Sequence, residues 1–256
     1  MEKEKYIIFL NDISKEKPND FYKKGKSECP FCKRELLTNI IDEKGPFMLL
    51  KNKYPTMKNT CQLVLIETYK CQGNMSEYSD EYIKELIQFG VSHWLEMEKY
   101  SEYASVIFYK NHGPRSGGSL KHPHMQIVGL KDIDYRLKLK DEYFKGLSIY
   151  KSDLCEVNLS DRPYSGFSEF NVIIEDNLEG LDELSRSMKK ITHYILNNYF
   201  AKCDSFNIFF YHWNNKIICK ISPRFTTSPL LLGYSIRQIS SCAEEIADKL
   251  KELYYK

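Results

Sequence analysis

Twice along this chain a long segment of helical period is followed by two short apolar runs, and that repeated order restricts the fold more than any other feature. In the first half, Ser79 is placed to cap a helix, Asp80 and Glu81 suit its first turn, and Ile83, Leu86, Ile87, Val91, Trp94 and Leu95 share one face. Strands are expected before it at 47–51 (FMLLK) and 62–67 (QLVLIE), and after it at 104–110 (ASVIFYK) and 124–130 (HMQIVGL). The second half reads the same way, with strands near 145–150 and 168–175, a helix over roughly 182–200, and strands at 206–212 and 216–221. "SFNIFFYHWNNKIICKI" and "YASVIFYKNHGP…HPHMQIVGL" both run strand, turn, strand, but the later copy has a loop of only "WNN" and no histidine pair. The expectation is an α+β fold, antiparallel sheet carrying helices, in two related halves, 1–135 and 136–256, joined as one compact unit. The second half is a degenerate copy of the first. A last helix near 241–253 has Ser241 and Glu244 at capping-box spacing and is expected to bury Ile246, Leu250 and Leu253.

The core is affordable: 256 residues, 42% of them hydrophobic, include 19 tyrosines and 14 phenylalanines. A formal net charge of +2, with Lys and Arg spread along the chain, gives no basic stripe for nucleic acid. Apolar runs such as "LVLI" and "PLLLGY" are too short for a membrane span, and "MEKEKYIIFL" lacks the features of a secretion signal. The expectations are no nucleic acid, no membrane and a cytoplasmic location. The Lys/Glu runs at both ends read as solvated faces.

In a reducing compartment, eight cysteines do not imply disulfides. Cys29 and Cys32 have the Cys-x-x-Cys spacing, which suits a metal or a redox pair. Cys61, Cys155, Cys203, Cys219 and Cys242 lie in apolar or periodic segments and are expected as core thiols.

On a strand, His122, His124 and Gln126 point to one face while Pro123 and Met125 point away. Pro123 donates no backbone hydrogen bond and belongs at a strand start or edge. Just upstream, the "SGGS" stretch brings Gly117 and Gly118, whose backbone can approach a phosphate closely, and Ser119, whose hydroxyl can donate to it. His112 and Arg115 lie in the same loop, where ligand contact and solvation are both open. His93 and His193 fall in the two helices and read as packing or surface groups.

These residues resemble the histidine-triad superfamily, and within it the galactose-1-phosphate uridylyltransferase branch, which uses His-Pro-His-x-Gln. Asn111, Gly117, Gly118 and Ser119 precede "HPHMQ" in that branch's order. "LLKNKYP" is similar to its nucleotide-contacting Asn, here Asn52, followed by an aromatic residue and Pro. "ISPRF", with Pro223 and Arg224, is similar to a Pro-Arg of the second repeat. The likeness covers most of residues 28–130 and is weaker elsewhere; it is greatest to a small bacterial group known only as a domain of unknown function.

The resemblance implies a nucleotidyltransferase in which His124 attacks the α-phosphorus of a nucleotide sugar and carries the nucleotide, while Gln126 and Ser119 donate to phosphate oxygens. Gln126 replaces the third histidine of the superfamily's hydrolases, which favours transfer over hydrolysis because an amide cannot act as a general acid. It also implies zinc bound by Cys29, Cys32, Cys71 and His122, with Cys71 where the branch has histidine, a Cys3His set typical of closed structural sites. Partners would be a nucleotide or nucleotide sugar and a phosphorylated acceptor, in a monomer or a homodimer. Two alternatives remain at this point: a regulatory nucleotide-binding protein that turns nothing over, and a dinucleotide hydrolase.

Overall fold

The apolar runs become strands with both faces covered. In the computed structural model, which describes residues 6–20 and 29–256, the chain separates into two units. One runs to Gly73 and includes 88–110 and 118–138; the other comprises 74–87, 111–117 and 139–256. The Lys/Glu run at residues 2–5 lies outside the described residues.

In the first unit, β1 (Ile40–Lys44), β2 (Phe47–Lys51), β3 (Thr60–Ile66), β4 (Ser105–His112, of which 105–110 belong to this unit) and β5 (His124–Leu130) lie in the order β1-β2-β3-β5-β4. Every neighbouring pair is antiparallel. Gly45, at φ +57°, turns the chain between β1 and β2. Met48 pairs with Ile66 and Leu50 with Val64; Ile66 in turn pairs with His124 and Val64 with Gln126. These four apolar residues therefore form a buried cluster on the face that carries His124 and Gln126, and Phe31 and Leu37 pack over it.

The opposite face carries Phe47, Leu65 and Phe108 and receives residues 88–98 of the helix α2 (Asp80–Glu98). Ser79 caps it as expected, its Oγ accepting from the Tyr82 N–H at 3.2 Å. Ile83, Leu86, Ile87, Val91 and Trp94 are fully buried, whereas Leu95 is half-buried and Met97 takes the last inward position. Trp94 Nε1 donates to Val106 O at 2.9 Å. A Cβ on Gly90 would fall 2.6 Å from Phe108 Cζ, so the missing side chain lets the helix approach the sheet.

The second unit repeats this connectivity strand for strand. β6 (Gly146–Lys151), β7 (Glu156–Ser160), β8 (Phe170–Glu175), β9 (Phe206–Trp213) and β10 (Lys216–Pro223) lie in the antiparallel order β6-β7-β8-β10-β9. A helix, α3 (Leu181–Asn197), lies between β8 and β9 in the chain, as α2 lies between β3 and β4. Leu184, Met188, Ile191 and Ile195 form its buried stripe. β10, which takes the place of β5, opens Lys-Ile-Ile instead of His-Met-Gln. The last helix, α5 (Ala243–Tyr254), packs on β6.

Several local expectations are corrected. β1 was not foreseen because it is exposed along its whole length and shows no alternation. β7 was masked by polar residues that pair internally: Asn171 Nδ2 donates to Asn158 Oδ1 at 2.8 Å, and Asn158 Nδ2 to Phe144 O at 3.0 Å. The short helices α1 (Asn11–Glu16) and α4 (Pro229–Tyr234) carry no buried residues and hence no periodic signal. The Ser241/Glu244 capping box does not form, since Cys242 occupies the N-cap without a side-chain bond. Ile246 and Leu250 are buried, but Leu253 is 49% exposed. No described helix is long and apolar enough to cross a membrane.

Candidate functional site

Cys29 and Cys32 bracket a 3₁₀ turn, Pro30–Cys32, in which Cys32 N–H donates to Cys29 O at 3.2 Å. Proline at the first position suits the turn and brings the two thiols to one side. Cys71 follows β3, and His122 comes just before β5. The ligand atoms of Cys29, Cys32, Cys71 and His122 all lie within 4.8 Å of one another, so the cluster could hold a metal ion.

The donor geometry fits such an ion. His122 Nε2 donates to the Thr68 carbonyl at 2.9 Å, which fixes the tautomer and leaves Nδ1 with its lone pair. That Nδ1 lies 3.5 Å from Cys29 Sγ and 3.6 Å from Cys32 Sγ. A tetrahedral ion with bonds of about 2.3 Å to sulfur and about 2.0–2.1 Å to nitrogen holds N and S about 3.5 Å apart. Burial, reinforced by the neighbouring thiols of Cys71 and Cys32, pushes the Cys29 thiol up to about 12. Burial also raises Cys71 and lowers His122. The Cys29 and Cys71 thiols therefore need a cation to become thiolates, while the imidazole is already neutral.

His124 is 8% exposed. Its Nδ1 donates to the carbonyl of His122 at 2.8 Å, so the free lone pair is on Nε2. Burial pushes its pKa down to about 4, with the nearby Lys110 charge acting in the same direction, and the ring is neutral near pH 7. Phe31, from within the Cys-x-x-Cys turn, meets both rings edge-on, with centroids 5.7 Å from His122 and 5.5 Å from His124.

The support beneath this strand was not anticipated from the sequence. Lys110 and Glu67 form an ion pair at 1% and 0% side-chain exposure. Lys110 Nζ also lies 3.4 Å from the His124 carbonyl, and Glu67 N–H donates to Pro123 O at 3.1 Å. The available signal was a charge set in each of two apolar strands, "VIFYK" and "LVLIE". Phe31 and Thr68 carried no separate signal.

The remaining expected residues fall in several places. Gln126 is half-buried on the His124 face, and Ser119 is half-buried with its carbonyl accepting from Asp20 N–H at 2.8 Å. Gly117 adopts φ +84° with nothing within 4 Å of a would-be Cβ; Gly118 is not among the positive-φ glycines. Asn52 shapes its own turn, its Oδ1 accepting from Tyr54 N–H at 2.9 Å. Asn111 Oδ1 accepts from Asn207 Nδ2 at 2.6 Å in the second unit.

In that unit Arg115 pairs with Asp204 at 2.6 Å and His112 stacks on Phe206 at 4.6 Å. His93 pairs with Asp42 at 2.8 Å, and His193 Nδ1 bonds the Tyr254 hydroxyl at 2.6 Å. Cys155, Cys203 and Cys219 are buried as expected, but Cys61 and Cys242 are only partly so.

Two family models match the sequence: the N-terminal domain of DUF4931, a domain of unknown function, over residues 9–133, and its C-terminal domain over 136–255. A crystal structure of a DUF4931 family protein from Bacillus cereus is 46% identical and superposes with a TM-score of 0.78, over 85% of this chain and 100% of that one. A GalT-like protein from Arabidopsis thaliana is 17% identical, with a TM-score of 0.73 over 92% of this chain and 93% of that one. An ADP-glucose phosphorylase from the same plant, solved with bound ADP-glucose, is 15% identical, with a TM-score of 0.71 over 91% and 92%. The two plant proteins show a shared fold, the uridylyltransferase-like α+β architecture expected from the sequence. No curated protein matches.

Proposed function

The chain belongs to the DUF4931 family, and we propose that it is a nucleotidyltransferase or nucleotide-sugar phosphorylase that carries the nucleotide on His124. One observation carries this reading: a buried, neutral imidazole is held by the His122 carbonyl in the tautomer that keeps the Nε2 lone pair. On this reading the half 1–135 bears the chemistry and the half 136–256 does not.

Nε2 of His124 attacks the α-phosphorus of a nucleotide sugar. A phosphorus–nitrogen bond forms, the bond to the bridging oxygen breaks, and its electron pair leaves with the sugar phosphate. An oxygen of an acceptor phosphate then attacks the same phosphorus, and the breaking bond returns its pair to Nε2. Gln126 and Ser119 donate to phosphate oxygens as charge shifts. The backbone at Gly117 and Gly118 admits a phosphate, and Asn52 and Asn111 contact the nucleotide. Because the Gln126 amide cannot deliver a proton to a leaving group, transfer is favoured over hydrolysis. The set Cys29, Cys32, Cys71 and His122 would hold zinc, whose four protein ligands leave no open position, so it supplies rigidity to the strand start. The thiolate set suits a reducing, cytoplasmic compartment.

Nucleotide sugars are the donors to test first, because a protein of this fold was solved with ADP-glucose bound. The test mixes the protein with UDP-glucose or ADP-glucose and an acceptor, either hexose 1-phosphate or inorganic phosphate. Exchange by the wild type and none by His124→Ala at equal metal content is expected. One observation favours a second reading, that of a binding protein: His124 is only 8% exposed. Tight nucleotide binding without exchange from any donor would decide for it.

A further inference from the structure

A second site is indicated within the second unit, among residues that play no part in the chemistry above. Segments 164–167 and 223–228, with Leu231, Arg237 and Gln238, line a small cleft that contains two arginines and no carboxylate. Thr226, Thr227 and Ser228 add hydroxyls, while the Ser165 hydroxyl donates to Glu169 Oε1 at 3.3 Å. Arg224 Nε is shielded from solvent and has no hydrogen-bond partner among the described residues. A buried guanidinium N–H left without an acceptor is costly, and a ligand oxygen is the simplest way to satisfy it.

Other features agree. Ser222, at 0% exposure, also has an Oγ without a partner, and a Cβ on Gly166 in the cleft wall would lie 3.4 Å from it. Arg237 lies over the rings of Tyr164 and Tyr143, 4.6 and 5.1 Å from their centroids, which holds its charge without neutralising it. The carboxylate that braces this wall, Glu169, accepts from Ser165 N–H at 2.8 Å but is itself paired with buried Lys220 at 2.9 Å. Among the described residues the two guanidinium charges thus lack acidic counterparts.

We propose that this cleft binds a phosphate group, either free inorganic phosphate or the phosphate of a small phosphosugar. Two planar donor forks and a set of hydroxyls supply more donors than the two oxygens of a carboxylate use, and they match the several oxygens of a phosphate.

The experiment measures binding of inorganic phosphate, glucose 1-phosphate and succinate by calorimetry, using the full chain and the variants Arg224→Gln and Arg237→Gln. Each variant is expected to weaken phosphate or phosphosugar binding about tenfold or more, as loss of a charge-assisted bond implies. Nucleotide-sugar binding and the metal content should be unchanged. Tighter binding of inorganic phosphate marks the free anion as the ligand; tighter binding of glucose 1-phosphate marks the phosphosugar. Arg237 is exposed, so its variant keeps the test decisive if Arg224→Gln melts early. Phosphate binding within about twofold of wild type in Arg237→Gln, or succinate binding as well as phosphate, overturns the proposal.

Discussion

The carbonyl of His122 accepts the Nδ1–H of His124 at 2.8 Å, while the His122 ring presents its own Nδ1 to Cys29 and Cys32. One residue therefore serves two purposes: its side chain closes the candidate metal cluster, and its backbone sets the tautomer of His124, the proposed nucleophile. Phe31 touches both rings from inside the Cys-x-x-Cys turn, so the cluster and His124 are tied together through this ring as well as through the hydrogen bond.

If this coupling holds, the protein should contain about one zinc ion per chain. Structural zinc sites supply apparent binding energies of roughly 10–16 kcal/mol that appear as folding stability. Chelation should lower the melting temperature steeply, and Cys71→Ser should lower both metal content and melting. Freshly purified protein without zinc, or a Cys71→Ser variant with unchanged zinc and melting, would exclude the assignment.

The Lys110–Glu67 pair predicts a pattern in denaturant unfolding. Lys110→Met alone takes the Lys110 charge away from the buried Glu67 carboxylate and should cost about 3–5 kcal/mol. Replacing both, as Lys110→Met with Glu67→Leu, should recover much of that loss, because the desolvated charges disappear together. A double variant no more stable than the worse single one would mean the pair does more than neutralise itself.

Much of this molecule is legible in its sequence. The repeat could be read because α2 and α3 keep clear buried stripes and their flanking strands are apolar. His122, His124 and the Cys-x-x-Cys pair were visible because few residue types bind metals or attack phosphorus. Cys71 was found through family resemblance alone; its spacing says nothing, since the loop after β3 decides where its thiol falls. Glu67 and Lys110 escaped attention because a charge at the end of an apolar strand usually reaches solvent, and only the strand register shows that both point inward. The cleft around Arg224 and Arg237 joins segments about sixty residues apart in sequence, which no local pattern reports.

The loop before β5 gives a third expectation. Gly117 is at φ +84°, where an L-residue costs about 1–2 kcal/mol. Nothing crowds its missing Cβ, so Gly117→Ala meets backbone strain alone and should still fold, melting a little earlier. If the backbone there receives a phosphate, nucleotide affinity should fall about tenfold or more, measured by calorimetry. Unchanged affinity would make the loop a connector.

The histidines themselves separate the two roles. His122→Ala should lose metal and melt early, since it removes a ligand and the Thr68 contact together. His124→Ala should keep its zinc and still bind nucleotide, because its ring meets the cluster through the His122 backbone carbonyl and the edge of Phe31 and supplies no metal ligand. Equal metal loss in both variants would show that the tie between them is structural throughout.

Intact-mass spectrometry at neutral pH, after mixing the protein with UDP-glucose or ADP-glucose without acceptor, tests nucleotide carriage by His124 most directly, since a phosphorus–nitrogen bond does not survive acid. The wild type should gain the mass of one nucleoside monophosphate residue, located on His124, lose it when an acceptor phosphate is added, and gain nothing as His124→Ala. An adduct on another residue, or full transfer activity in His124→Ala, would contradict it.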